Sequence, residues 1–242
     1  MDDKELQKSS ESDQWLYDNY ASLEKASTLI DRYMKPWMKE QGFSRKGRRY
    51  FKIIDDIAYC VGCGIGDLVH THYYIIPLYI PTDYIYLSYG EEIEHRYRYV
   101  PRVLRRTTQE RVDAWFNGMK EVLLQEVFPF FEQLSSKEKL LDFIAPRPSD
   151  MFSCQGGFRI EKLRVYSYLF LLDRENTAKS FLEFRHDIWK KGFCATPQWR
   201  AMMNKELETL SMLMEKSDEE ITSYFQTVCE ETRSKSFQTK RR

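Results

Sequence analysis

Residues 36–51 join a helical sequence pattern to a strand pattern, and this joint constrains the fold more than any other feature. They read PWMKEQGFSRKGRRYF. Before them, apolar residues recur at alternating steps of four and three, which is typical of one face of a helix. Within them, Gly42 is a natural helix end because glycine adopts left-handed backbone conformations. After them come short aromatic and β-branched runs separated by turn residues, so the joint predicts a helix that docks onto a sheet.

The apolar stripe predicts one long N-terminal helix that starts near Trp15. Its members are Leu16, Tyr20, Leu23, Ser27, Ile30, Met34 and Trp37. The stripe is too short for a coiled coil and favours packing on a sheet. Pro36 lies inside it, so the helix is expected to kink or restart there.

The next segment predicts a four-stranded, mainly antiparallel sheet. Residues 48–54 and 57–62 flank Asp55-Asp56, which suits the two-residue turn of a hairpin. A third strand is predicted over residues 69–80, bent or placed at an edge by Pro77. A fourth is predicted over 84–89. Short turns between successive strands imply antiparallel pairing.

Helices are predicted over most of the remaining chain. Three capping boxes mark helix starts, and a threonine followed by proline marks another: Thr107 with Glu110, Ser135 with Glu138, Ser217 with Glu220, and Thr196-Pro197. The fold class is therefore α+β, with an N-terminal helix, a four-stranded sheet covered by helices, and a C-terminal helical subdomain. The predicted domains are residues 12–145 and 150–232, joined by a linker over 145–149, with a disordered basic tail over 233–242.

Composition and charge narrow the class of protein. The chain has 242 residues, 42% hydrophobic, with 37 basic and 37 acidic side chains. A balanced total does not favour a general polyanion binder, and it says nothing about local patches of charge. No apolar run is long enough to cross a membrane. Five cysteines without an export signal indicate reduced thiols and a cytoplasmic protein.

The joint also carries a family resemblance. The run GFSRKGRRYF at residues 42–51, with Pro36 before it, resembles the opening signature of a bacterial family catalogued as domain of unknown function 4304. The run PLYIP at residues 77–81 and the pair Tyr89-Gly90 are similar to members of that family from spore-forming Gram-positive bacteria. The resemblance covers residues 12–125. It implies a bacterial cytosolic protein and supplies no catalytic residues.

Two cysteines and three glycines form spaced motifs whose simplest explanation is structural. Cys60 and Cys63 have the spacing of a metal knuckle or a redox pair, but no second such pair follows. Residues three apart on a strand also point to opposite faces. The glycines at 62, 64 and 66 are followed by a strand and not a helix, so they do not form a dinucleotide-binding fingerprint.

His70 and His72 are the candidates for chemistry on a strand. Residues two apart share a face, so both imidazoles could converge on one metal or phosphate. A phosphoesterase would use a second histidine motif, which the sequence lacks, and His95 and His186 are isolated. No catalytic residue, metal or cofactor is predicted, and a hydrolase that uses His70 and His72 is kept as an alternative.

Two arginine clusters give the best functional indication. The first has five basic residues in eight positions, and the second has five arginines in eleven, interleaved with tyrosines. They are Arg45, Lys46, Arg48, Arg49 and Lys52, and then Arg96, Tyr97, Arg98, Tyr99, Arg102, Arg105 and Arg106. Arginine beside tyrosine binds acidic protein surfaces through carboxylate pairs, or nucleic acid through phosphate contacts and base stacking. The structural alternative is that both clusters are solvated turns whose charge is neutralised by three nearby carboxylates, Glu91, Glu92 and Glu94. These three glutamates are themselves predicted to form a solvated loop.

The sequence therefore favours a non-enzymatic protein-binding module, of the immunity or adaptor kind, with an acidic protein partner. Nucleic-acid binding through the arginines and tyrosines is the second hypothesis. The oligomeric state does not follow from the sequence.

Overall fold

The computed structural model describes residues 23–81, 89–146, 160–192 and 196–237. The strands of these residues, numbered in chain order, are β1 Glu24–Lys25, β2 Ser44–Lys46, β3 Arg49–Ile54, β4 Ile57–Ile65, β5 Val69–Pro77, β6 Tyr89–Glu92 and β7 Arg106–Thr107. The α-helices are α1 Ala26–Glu40, α2 Ile93–Arg96, α3 Gln109–Val122, α4 Phe128–Gln133, α5 Lys137–Ile144, α6 Ile160–Phe170, α7 Arg174–Gly192, α8 Pro197–Met214 and α9 Asp218–Phe237.

The fold is a mixture of helices and antiparallel sheet, but the predicted strand number is wrong. Within the described residues, one sheet has five strands in the order β2-β3-β4-β5-β6, and β1 pairs with β7 in a second sheet. The extra strand β2 occupies residues 44–46, which lie before the first predicted strand at 48–54. Gly47, with φ +63°, supplies the turn that lets Lys46 pair with Arg49.

Helix α1 begins later than predicted and ends where predicted. Residues 24–25 form a strand, so the helix starts at Ala26, and Trp15 lies outside the described residues. The helix runs through Pro36 without restarting. At its end Gly42 has φ +82°, while the N–H groups of Gly42 and Phe43 donate to the carbonyls of Lys39 and Met38. These two hydrogen bonds form a Schellman motif, which confirms the predicted helix end at Gly42.

Two of the predicted capping boxes are wrong by one residue, because in each pair of hydroxyl residues the second is the cap. Thr108 caps α3 and Ser136 caps α5. Ser217 and Glu220 do form a reciprocal box, with bonds of 3.0 and 3.3 Å. Thr196 likewise caps α8 as predicted.

A π-helical turn, Leu123–Val127, separates α3 from α4 and precedes Pro129. Proline cannot donate to the carbonyl four residues earlier and its ring crowds that carbonyl, so a wider turn relieves both problems. The helix type therefore changes in the turn before Pro129.

The chain divides into two compact units. The first comprises Met1–Lys52, Cys60–Tyr73 and Glu91–Phe130, and the second comprises Ile53–Tyr59, Tyr74–Gly90 and Phe131–Arg242. In the first, helices α1 and α3 bury apolar side chains that include Met34, Trp37 and Trp115. The ring of Trp37 packs on Phe116 of α3 and on Phe128, with centroid distances of 5.9 Å to each.

The second unit has its own aromatic core. Tyr79 stacks on Phe170 at 4.5 Å, and Phe170 meets Phe225 at 5.1 Å. The Tyr79 hydroxyl is 2.8 Å from the hydroxyl of Ser167. Burial raises the pKa of Tyr79. The predicted domain boundaries over residues 12–145 and 150–232 stay a prediction.

The last helix extends beyond its predicted end. Helix α9 continues to Phe237, so residues 233–237 of the predicted tail are helical. The rest of the tail, residues 147–149 of the predicted linker and residues 84–88 of the predicted fourth strand lie outside the described residues. Among the helices that are described, none is both long and apolar enough to cross a membrane.

Candidate functional site

The first arginine cluster lies on the β2–β3 hairpin, which distributes its side chains over two faces. Arg45 pairs with Tyr50, and Lys46 pairs with Arg49. Cross-strand partners share a face, so Arg45 lies on one side of the sheet and Lys46 and Arg49 on the other. Arg48 is in the turn. The five-charge cluster of the sequence is therefore not one surface.

Arg45 is bound within the protein. Its Nη2 is 2.6 Å from Oδ2 of Asp31, its Nε donates to the carbonyl of Gly47 at 2.6 Å, and its guanidinium lies 5.8 Å from the centre of the Tyr50 ring. Arg48 and Arg49 are exposed and have no side-chain partner among the described residues. Lys52 is exposed in the same way, so three members of the predicted cluster, Arg48, Arg49 and Lys52, are available to an external ligand.

The start of the second cluster is also internally bound. The guanidinium of Arg96 pairs with Glu91 and lies 5.4 Å from the ring centre of Tyr97. Its Nη1 also donates to the Tyr73 hydroxyl at 3.4 Å. These contacts make Arg96 part of the structure of the first unit.

Acidic residues lie near the two tyrosines of this cluster. Burial raises the pKa of Tyr97, and nearby Glu126 and Glu91 raise it further against the opposing effect of Arg96. Burial likewise raises the pKa of Tyr99, with added contributions from Glu121 and Glu126. This part of the surface therefore has mixed charge, although Arg98 is exposed and has no side-chain partner in the described ranges.

Arg102 and Arg105 lie on a segment that is held on both sides. The N–H of Val69 donates to the carbonyl of Val103 at 2.8 Å, and the N–H of Arg105 donates to the carbonyl of Asp67 at 2.8 Å. On the other side, the N–H of Ala26 donates to the carbonyl of Arg105 at 3.0 Å. Both arginine side chains are exposed, and no described residue binds them.

The sheet order decides which arginines can act together. Strands β2 and β6 are the two edges, four strand spacings or about 19 Å apart, so Arg96 does not lie beside the hairpin. The segment with Arg102 and Arg105, however, returns to the β4–β5 turn. At the same end of the sheet, the carbonyl of Arg48 accepts from Cys63 N–H at 3.0 Å. We call Arg48, Arg49, Arg102 and Arg105 the turn-end arginines.

The prediction that Glu91, Glu92 and Glu94 form a solvated loop is wrong, because each binds a specific partner. Glu94 is 4% exposed and accepts from the backbone N–H of Thr71 at 2.8 Å and from Nε1 of Trp115 at 3.1 Å. Glu91 binds Arg96, and Glu92 lies 2.7 Å from Nδ1 of His70. The structural role of Glu94 could not be predicted from the sequence, because its two N–H donors are more than 20 residues away in the chain.

The two cysteines of the Cys60-x-x-Cys63 motif are both buried and reduced. Burial raises the pKa of Cys63 to about 12, which keeps it protonated and unreactive. The hydroxyl of Thr71 donates weakly to its sulfur at 3.9 Å. These surroundings agree with the structural interpretation of the motif. Within the described ranges, no three His, Cys, Asp or Glu residues cluster as a metal site.

Comparison with protein families, curated proteins and solved structures found no match to this chain. The resemblance to the family catalogued as domain of unknown function 4304 therefore stays a prediction.

Proposed function

We propose that this chain is a non-enzymatic binding module that recognises an acidic surface of a protein partner through the turn-end arginines. One observation carries the proposal. The backbone of Arg105 is hydrogen-bonded on both sides, at 2.8 and 3.0 Å, while its side chain is exposed and unbound by any described residue. A fixed backbone presents the guanidinium at a defined position, which lowers the entropy lost on binding.

The chemistry of arginine favours an acidic protein surface. A guanidinium binds a carboxylate through two parallel hydrogen bonds, and it is weakly hydrated compared with an ammonium. Four such groups at one end of the sheet match a group of aspartate or glutamate side chains. Arginine is also enriched among the residues that dominate binding energy at protein interfaces.

The surroundings of the tyrosines support this choice over nucleic acid. Stacking of bases would need Tyr97 and Tyr99 together with nearby free cations. Tyr99 is 58% exposed, but Glu121 and Glu126 lie close enough to raise its pKa, and Arg96 is bound to Glu91. Carboxylates beside a stacking platform repel phosphate, so nucleic-acid binding is the weaker hypothesis.

Charge reversal tests the proposal. The double variant Arg102→Glu with Arg105→Glu is compared with the unaltered chain in capture from the native host, followed by calorimetry with the purified captured protein. We expect loss of binding by about 100-fold or more, because two favourable charge pairs become repulsive. The control is Arg185→Glu with Lys190→Glu on α7, two exposed cations of the second unit. Equal affinity of the turn-end variant and the control would contradict the proposal.

Titration with labelled single-stranded RNA separates the two hypotheses. A protein-binding module should show little affinity at physiological salt. Tight RNA binding that weakens steeply as salt rises would favour nucleic acid instead, because counterion release follows the number of phosphates contacted.

A further inference from the structure

Two sequence motifs that the proposed function does not use lie directly opposite each other on β4 and β5. The N–H of Gly66 donates to the carbonyl of Leu68 at 3.0 Å, and the N–H of Leu78 donates to the carbonyl of Asp56 at 2.8 Å. From one bond to the other, the first strand runs ten residues, from 56 to 66, and the second strand also runs ten, from 68 to 78. The register is therefore constant, and it places Gly64 opposite His70 and Gly62 opposite His72.

The register puts both imidazoles on one face, each beside a glycine. Their Cα atoms are about 6.6 Å apart, two strand rises, which allows both rings to reach one ion at about 2.1 Å. Gly64 is exposed, and a Cβ added there would meet only the carbonyl oxygen of His70, at 3.7 Å. Glycine thus leaves the cross-strand position beside His70 without a side chain.

Glu92 orients the first imidazole. Its Oε1 lies 2.7 Å from Nδ1 of His70, and the histidine side chain is 41% exposed. When the carboxylate accepts this hydrogen bond, Nδ1 of a neutral ring carries the proton and Nε2 carries the lone pair. A carboxylate bound to the second nitrogen of a histidine is the usual arrangement behind metal-ligating imidazoles. His72 is half-buried and has no partner among the described residues.

We propose that His70 and His72 are the two protein ligands of a divalent transition-metal site on this face of the sheet. Imidazole suits Ni²⁺, Cu²⁺ and Zn²⁺, and the remaining coordination positions would be taken by water or an external oxygen ligand. Glu92 is a positioning residue that sets the orientation of His70. The turn-end arginines supply no ligand to this site, although Arg49 lies on the same face of the sheet.

Two cations on the same face of the sheet do not prevent metal binding by His70 and His72. Lys46 and Arg49 share the face, since Arg49 lies opposite Gly62 in the β3–β4 register and Lys46 pairs with Arg49. Their backbones lie two and three strand spacings from that of His72, about 10 and 14 Å, so neither residue is a direct cross-strand neighbour of the ligand. Glu92 adds a negative charge beside the other ligand.

Calorimetry on the full chain without an affinity tag tests the site. NiCl₂ and ZnCl₂ are titrated in a chelator-treated, non-coordinating buffer, and we expect one ion per chain. His72→Gln should lower the affinity at least about tenfold because one of two ligands is lost. Glu92→Gln should lower it by about tenfold or more, with thermal unfolding little changed.

The isolated, exposed His186 provides a matched control, and His186→Gln should bind like the unaltered chain. Electron paramagnetic resonance of the Cu²⁺ complex gives a second readout: two nitrogen ligands in the unaltered chain and one in His72→Gln. In Glu92→Gln the copper hyperfine coupling should shift, which a merely structural role would not cause. Absence of binding to all three ions, or undiminished one-site binding by the His70→Gln, His72→Gln double variant, would overturn the proposal.

Discussion

Residues 91–96 and residues 98–105 are neighbouring charged segments that differ in whether their side chains bind other parts of the protein. In the first, Glu91 and Arg96 bind each other, Glu92 binds His70, and Glu94 is buried against two N–H donors. In the second, Arg102 and Arg105 are exposed and unbound by described residues. The difference shows that charge density in a sequence does not by itself mark a binding surface.

The cause lies in what each segment is placed beside. Glu91 and Glu92 belong to the edge strand β6, and Glu94 follows it. The neighbouring strand β5 presents His70, the N–H of Thr71 and the hydroxyl of Tyr73. Residues 103–105 use their backbone to join two other segments, so their side chains are left outside. The first segment binds groups of neighbouring strands and helices, and the second leaves its arginine side chains exposed.

The largest effect that would test this contrast is on Glu94. Glu94→Ala should lower the free energy of unfolding by about 3 kcal/mol, because the N–H groups of Thr71 and Trp115 lose their acceptor in a buried site. Urea denaturation measures the change. Glu121→Ala, at an exposed position, should change it by less than about 0.5 kcal/mol. Equal effects of the two variants would mean that Glu94 is not a structural group.

A double-mutant cycle between Glu94→Ala, which removes the acceptor, and Trp115→Phe, which removes the donor, would sharpen the comparison. We expect a coupling energy of about 1 kcal/mol, the usual net value of one hydrogen bond, because the cycle cancels the packing loss of the smaller ring. The measurement is the unfolding free energy of the two single variants and the double variant. A coupling energy near zero would contradict the 3.1 Å bond between the indole and the carboxylate.

Arg96→Ala should have a smaller effect. Its pair with Glu91 is half exposed, with side-chain exposures of 49% and 37%, so we expect a loss of about 0.5 kcal/mol that decreases at high salt. Thermal unfolding at low and high ionic strength would show it. A larger loss that is insensitive to salt would indicate that packing on Tyr97 matters more than the charge pair.

The smallest effect on stability is expected for the turn-end arginines. Arg102→Ala and Arg105→Ala should each change the unfolding free energy by less than about 0.5 kcal/mol in either direction, because no described residue depends on their side chains. Chemical denaturation of both variants is the check. A loss above about 1 kcal/mol would place them with the structural segment and weaken their proposed role in binding.

The sequence was a good guide wherever a residue acts on its own backbone. Gly42 ends α1, Asp55 with φ +49° turns the β3–β4 hairpin, and Ser217 with Glu220 starts α9. The sequence was less reliable where two adjacent residues could each cap the same helix. Thr107 and Thr108 are both acceptable caps, and the pairing of β7 with β1 leaves the second as the cap.

What the sequence alone determined is the class of fold and the local joints, because helix periodicity, turn residues and caps act within a few residues. What only the tertiary structure decided is which charges are free. Glu94 and Arg105 are both charged residues in the sequence. Glu94 accepts hydrogen bonds from an N–H of β5 and an N–H of α3, whereas the side chain of Arg105 projects from a segment whose backbone is already hydrogen-bonded. Hydrogen-bond partners 21 to 23 residues apart in the chain leave no local pattern. The functional candidates, the turn-end arginines and the His70–His72 pair, therefore depend on strand order and register.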